Sequence, residues 1–151
     1  LKFMCLLKWW FMFCISILAF VGSFFFVWAQ AVWNADETKI SVLILSLYFS
    51  FSIFIGWLTY QAEKLKKFDV EKHLKSCHMA VKSMIVLGII GTTAGLLLML
   101  HLAFASPDLN PTTVLMGLKT GLSTLGITTI VGLICYLALE LQVVNFEYAL
   151  E

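Results

Sequence analysis

Residues 84–105 read MIVLGIIGTTAGLLLMLHLAFA, an apolar run without an acidic residue, Lys or Arg. About 20 such residues, rising 1.5 Å each, cross the hydrocarbon core of a bilayer. Within the run, Gly88, Gly91, Thr92 and Gly95 stand at i, i+3, i+4 and i+7, so they share one stripe of a helix. Residues 111–141 repeat the pattern: Gly117, Gly121, Thr124 and Thr128 lie on one stripe, with Thr129 and Gly132 beside it. Small residues let helix backbones approach closely in lipid, and Thr hydroxyls can bond across the contact.

Two more spans precede these. Residues 3–32 carry no charge except Lys8, and residues 40–60 carry none. The first run is longer than a span requires, so it is expected to tilt or to begin in the interface. It also exceeds the apolar core of a secretory signal, so a retained span is expected rather than a cleaved leader. Trp9 and Trp10 near one end and Trp28 and Trp33 near the other stand about 27 Å apart along a helix, the spacing of two aromatic belts. Trp57 and Tyr60 mark the far end of the second span. Both spans are bulky on every side, which predicts that residues 1–60 form two lipid-facing helices.

The composition agrees with four spans. Of 151 residues, 61% are hydrophobic and 13% charged, with a mean hydropathy of +0.95. Soluble domains hold about 45–50% apolar and about 25% charged residues. Disorder, a disulfide scaffold and most soluble enzymes are thereby excluded. A formal charge of +1 gives no electrostatic case for nucleic acid. Every basic residue is Lys, so the Arg fork for phosphate or carboxylate is missing.

Lysine bias sets the orientation. Residues 61–82 hold six Lys, from Lys64 to Lys82, against Glu63, Asp69 and Glu71, whereas residues 34–39 hold one and residues 106–110 none. Positive loops stay inside, so the N- and C-termini and residues 61–82 are expected in the cytoplasm. The two short loops then face the exterior. The 61–82 segment has no Gly or Pro and reads as a short cytoplasmic helical connection. Pro107 suits the loop before the last span, and Pro111 suits a first helical turn. The last span is nearly 30 residues long, so its end is expected to project beyond the bilayer as a cytoplasmic helix end.

Glycines alone are explained by helix packing within one subunit. The threonines add something else. Ser123, Thr124, Thr128 and Thr129 gather mid-span, with Thr92 at similar depth on the neighbouring span. One Thr can satisfy itself on its i−4 carbonyl, but several at one depth suggest a polar pathway or ion site. Lys119 and His101 lie near the outer ends of their helices, where they can snorkel or line a vestibule, and Glu140 lies near the cytoplasmic end. No Asp or Glu sits at mid-membrane, so a carboxylate carrier would have to come from a partner. Cys5, Cys14, Cys77 and Cys135 show no paired spacing, and His73, Cys77 and His78 are too few for a metal centre. No metal is expected.

Residues 87–95, LGIIGTTAG, resemble the LGLLGTxxG motif of the MotA/TolQ/ExbB ion-channel family, and residues 121–133, GLSTLGITTIVGL, resemble its second motif, roughly GIAEALxxTAIGL. Both fall in the last two spans in the family's order, and the resemblance covers about residues 84–140. It implies a ring subunit of an ion-driven motor or stator in a bacterial inner membrane. Five copies would surround two copies of a single-span partner of the MotB/TolR/ExbD type, whose membrane Asp takes the ion. The resemblance makes residues 83–151 two pore-lining helices, with Thr92 and Thr129 at the motif threonines, Thr128 and Thr124 beside them on the ion pathway, and Gly88, Gly91, Gly95, Gly117, Gly121 and Gly132 in packing or pore-lining positions. No cofactor is implied beyond the transported proton or sodium. The sequence departs from the family in two places. Thr124 stands where TolQ and ExbB carry Glu, and residues 61–82 replace the large cytoplasmic region of MotA. The adjacent Thr128 and Thr129 resemble the pair of sodium-driven stators, and hydroxyl oxygens suit hard cations.

Other functions compete less well. A structural or assembly-factor membrane protein with close-packed helices is the alternative. An enzyme is not expected, because HExxH, GxSxG and a phosphate-binding loop are all missing.

Overall fold

The computed structural model describes residues 2–25, 30, 33–34, 36, 38–64, 70–104 and 110–150. Four long helices account for nearly all of them: α1 Lys2–Phe25, α2 Ile40–Lys64, α3 Val70–Phe104 and α4 Pro111–Leu150. Each contains a stretch long and apolar enough to cross a membrane: Met4–Ser23, Ile40–Ala62, His73–Phe104 and Pro111–Tyr148. The expected all-α class with four membrane-length apolar helices is therefore found. The connection expected over residues 61–82 is helical at 61–64 and 70–82, as continuations of α2 and α3; residues 65–69, and Trp28, Pro107 and Ser106 elsewhere, lie outside the described residues.

Local chemistry sets the helix starts. Pro111 occupies the first turn of α4, and the Asn110 carbonyl accepts from Thr113 N at 3.0 Å and Val114 N at 3.2 Å. Before α2, the buried Asp36 carboxylate accepts from Ser41 N and from the Thr38 hydroxyl, both at 2.8 Å. This cap holds Lys39 in the left-handed region, at φ 55°, a conformation unfavourable for a side chain with a Cβ. Lys39 Nζ also lies 4.4 Å from the Trp33 ring centroid and donates to the Trp33 carbonyl.

The helices α3 and α4 form an antiparallel hairpin in one continuous register. A Cβ placed on Gly117 would meet the Ala103 backbone at 2.7 Å; on Gly121, Met99 Cβ at 2.3 Å; on Gly95, Leu125 N at 2.9 Å; on Gly91, Thr128 Cβ at 2.7 Å; and on Gly132, the Gly88 Cα at 3.0 Å. Each mid-helix Gly is about 1 kcal/mol worse than Ala in propensity, and here the close approach offsets that penalty. At about 52 and 60 Å long, α3 and α4 both exceed a core of about 30 Å.

The bundle is uneven. Where α1 and α2 join the hairpin, the core takes Cys77, Val81 and Met84 from α3 and Cys135, Leu139, Val143 and Phe146 from α4, with Leu87 and Val131 at its edge. Beyond that edge, residues 88–104 and 111–130 bury only the narrow strip that faces the other hairpin helix. Two expectations are corrected here. Whereas α1 is mostly exposed, the second span does not face lipid on every side: Ile44, Ser52, Ile55, Leu58 and Thr59 are fully buried against the other helices. Its small residues Ser52 and Gly56 open a face that the large ones do not close. Trp9 is not an interfacial anchor: it is buried, stacked on Phe13, and its ring fills the space over Gly56, where a Cβ would come within 2.1 Å. Trp10 stays exposed.

Candidate functional site: the paired threonines

The register of the hairpin brings the two motif threonines together. Thr92 Oγ1 and Thr129 Oγ1 are 2.7 Å apart, half-buried at the edge of the α3–α4 seam. Thr92 Oγ1 also lies 2.9 Å from the Gly88 carbonyl, and Thr129 Oγ1 2.8 Å from the Leu125 carbonyl. Two hydroxyl protons thus serve three contacts. Whichever hydroxyl donates across the seam gives up its own i−4 carbonyl. The result is a cluster of four oxygens with a lone pair to spare, whose protons can rearrange without moving a heavy atom. Oxygen sets of this kind suit hard cations and water.

Thr124 and Thr128 are placed differently. Both are fully buried in the seam. Thr128 donates to the Thr124 carbonyl at 2.9 Å, with Leu125 O at 3.3 Å, and sits directly beneath Gly91. Thr124 donates to Thr120 O at 3.2 Å. The adjacency of Thr128 and Thr129 in sequence therefore splits into two roles, since neighbours are about 100° apart on a helix. Thr128 packs against α3, and Thr129 reaches the flank.

All six stripe glycines lie in the seam. Five are in tight contact, while a Cβ on Gly88 would meet its nearest atom, the Gly132 Cα, only at 3.7 Å. Gly126, outside the stripe, faces open space. Lys119 and Glu140 stand about 15 and 16 Å along α4 on either side of Thr129, and His101 and Lys82 stand about 13 and 15 Å along α3 on either side of Thr92. Along the hairpin the hydroxyl pair is thus midway between two charged levels about 30 Å apart, while the contact of Ser52 with Gln142 sets the start of α2, with Lys39, near the level of Thr129.

His73, Cys77 and His78, close in sequence, do not converge on a common point. Cys77 is buried in the core, His78 pairs with Glu147 at 2.9 Å, and no three potential metal ligands meet among the described residues.

Sequence reasoning missed a second polar set, on the opposite side of α4. The Ser52 hydroxyl donates to Gln142 Oε1 at 2.8 Å, and Asn145 Nδ2 donates to the Cys5 carbonyl at 2.8 Å. Ser16 Oγ donates to Met12 O at 3.0 Å, which leaves Tyr48 to donate to Ser16 at 2.7 Å. Gln142 Nε2 and Trp9 Nε1 are buried without partners. The only sequence signal was the Ser52–Gly56 spacing on α2, which opens a groove at i and i+4.

In comparisons with known proteins, no family model, curated protein or solved structure matches this chain.

Proposed function

We propose that the chain is a ring subunit of an ion-driven rotary motor in a bacterial inner membrane. One observation carries the reading. Two threonines from separate motif-like segments, 37 residues apart, meet at 2.7 Å between the charged levels of the hairpin. A cation leaving water needs oxygen ligands or a hydrated path, because hydrocarbon offers neither. The hydroxyl pair and its two carbonyls supply oxygens but no charge, and a single-span partner of the MotB/TolR/ExbD type would bring the Asp. Five copies of the chain would surround two of that partner, with the Lys-rich end and both termini in the cytoplasm. The cargo is a proton or sodium, and the reading assigns no enzymatic chemistry to the chain.

A scaffold without ion transport has its own support: the stripe glycines lie within the chain's own hairpin, so close packing alone accounts for them. A tagged chain purified from its native membranes in mild detergent and weighed by native mass spectrometry separates the two. Five copies with two smaller subunits, each having one span and a membrane Asp, support the motor. A monomer or dimer without such a subunit supports the scaffold.

A further inference from the structure

The flank of the hairpin that holds the threonine pair carries more polar groups than packing explains. At 100° per residue, Thr129, Tyr136, Glu140 and Glu147 fall within about 20° of one line along α4, whereas Gln142, which meets α2 through Ser52, lies about 140° around from Thr129. On α3, His78 lies within about 40° of Thr92. Two cross-helix contacts fix both helices to this common flank: Thr92 with Thr129 at 2.7 Å, and His78 Nε2 with Glu147 Oε1 at 2.9 Å. The stripe therefore faces away from α2.

Tyr136 and Glu140 lie between those two contacts. The Tyr136 ring packs against the core edge. Neither the Tyr136 hydroxyl nor the Glu140 carboxylate has a hydrogen-bond or ion-pair partner among the described residues. Both lie on the membrane-length stretch Pro111–Tyr148, Tyr136 in its apolar part and Glu140 toward the end that the Lys bias sets on the cytoplasmic side. A carboxylate at the end of a span stays hydrated, and without a protein partner it is free to take up a cation that reaches it. Along α4, the rise from Thr129 to Tyr136, Glu140 and Glu147 is about 10, 6 and 10 Å. One or two waters bridge gaps of that size between side chains as long as Tyr and Glu.

We propose that this stripe is the exit route for the transported cation. The Tyr136 hydroxyl and the Glu140 carboxylate relay it from the threonine pair, and Glu147, held by His78, forms the mouth at the Lys-rich end. The route rests on the motor reading. It differs from the entry step, where charge comes from the partner.

The test uses the complex purified with its native partners and reconstituted into vesicles. Ion flux is driven by a potassium diffusion potential and measured in sodium and in choline buffer, which separates sodium from proton as cargo. Glu140→Gln should lower flux about tenfold, the equivalent of one hydrogen bond to a charged group. Tyr136→Phe should lower it less, and Glu140→Asp should recover part of it. Complex yield should be unchanged in all three. If the wild-type complex carries no flux in either buffer, the route falls together with the motor reading. If wild type conducts and Glu140→Gln conducts equally well, the route alone is wrong. If Glu140→Gln and Glu140→Asp lose flux only in step with complex yield, Glu140 is a packing group and the route is overturned.

Discussion

Thr128 and Thr129 differ by one position and, on this geometry, by surroundings: the first is buried in the seam and the second meets Thr92. Valine matches threonine in shape and removes only the hydroxyl. Thr128→Val loses a bond to its own helix backbone, a change of about 1 kcal/mol or less, and should leave ion-driven work intact. Thr129→Val and Thr92→Val remove half of the facing pair and should abolish ion flux with the assembly preserved. Flux and complex yield measured on the same preparations decide it: three fully active variants would make the threonines packing residues. Across the bundle, Ser52→Ala leaves the buried Gln142 amide without its partner. The single change should destabilise more than Ser52→Ala combined with Gln142→Leu, with a coupling of about 0.6 kcal/mol, as is usual between membrane helices. Thermal unfolding in detergent measures both, and additive effects would show the bond to be energetically idle. The similar depth of Thr92 and Thr129 on neighbouring spans was legible in sequence, but their meeting was not, because it depends on the register in which the two glycine stripes lock. Nor was the split between Thr128 and Thr129, because a stripe shows which residues are neighbours without showing which flank lies free. The Ser52–Gln142 contact joins residues 90 apart in sequence, and neither belongs to a repeating pattern.

At the scale of the elements, the hairpin behaves as a zipper whose teeth are missing side chains. Gly117→Ala and Gly121→Ala would place a Cβ within 3 Å of backbone atoms of α3, at Ala103 and Met99, which cannot swing aside. Each should force the helices apart and cost about 1–3 kcal/mol. Gly126→Ala meets nothing within 4 Å and should be neutral or stabilising, by up to about 1 kcal/mol of helix propensity. Gly88→Ala, with its nearest contact at 3.7 Å, should be tolerated. Unfolding midpoints for the four variants check the ranking; equal midpoints would mean that the close register is not maintained in the membrane. Gly56→Ala tests the other contact, since Trp9 must leave its place to admit a methyl group. The stripes in α3 and α4 announced themselves by repetition. A single glycine in α2 opposite a single tryptophan in α1 does not repeat, so an interfacial role was the natural expectation for Trp9.

For the whole molecule, the unevenness of the bundle is the property with the widest consequence. The helices α1 and α2 support the hairpin only from about residue 87 to the Lys-rich end on α3, and from about residue 131 onward on α4. The remainder is a two-helix ribbon exposing Leu97, Leu100, Phe104, Leu115, Met116 and Leu122. Two helices that touch along one strip have few contacts to lose, so this part should open locally at lower free energy than the four-helix part. In an assembled ring, neighbouring subunits or the central partner would cover the ribbon and remove the difference. Hydrogen exchange on the isolated chain in detergent should therefore show weaker protection in residues 88–104 and 111–130 than in residues 74–87 and 131–146. The assembled complex should show a rise confined to the first pair of segments. The hairpin threonines lie within the weak part, so their protection should rise with it and report when the threonine pair becomes organised. Equal protection of both parts in the isolated chain would mean that the glycine seam alone holds the ribbon shut. Assembly would then contribute contacts without stabilising the site.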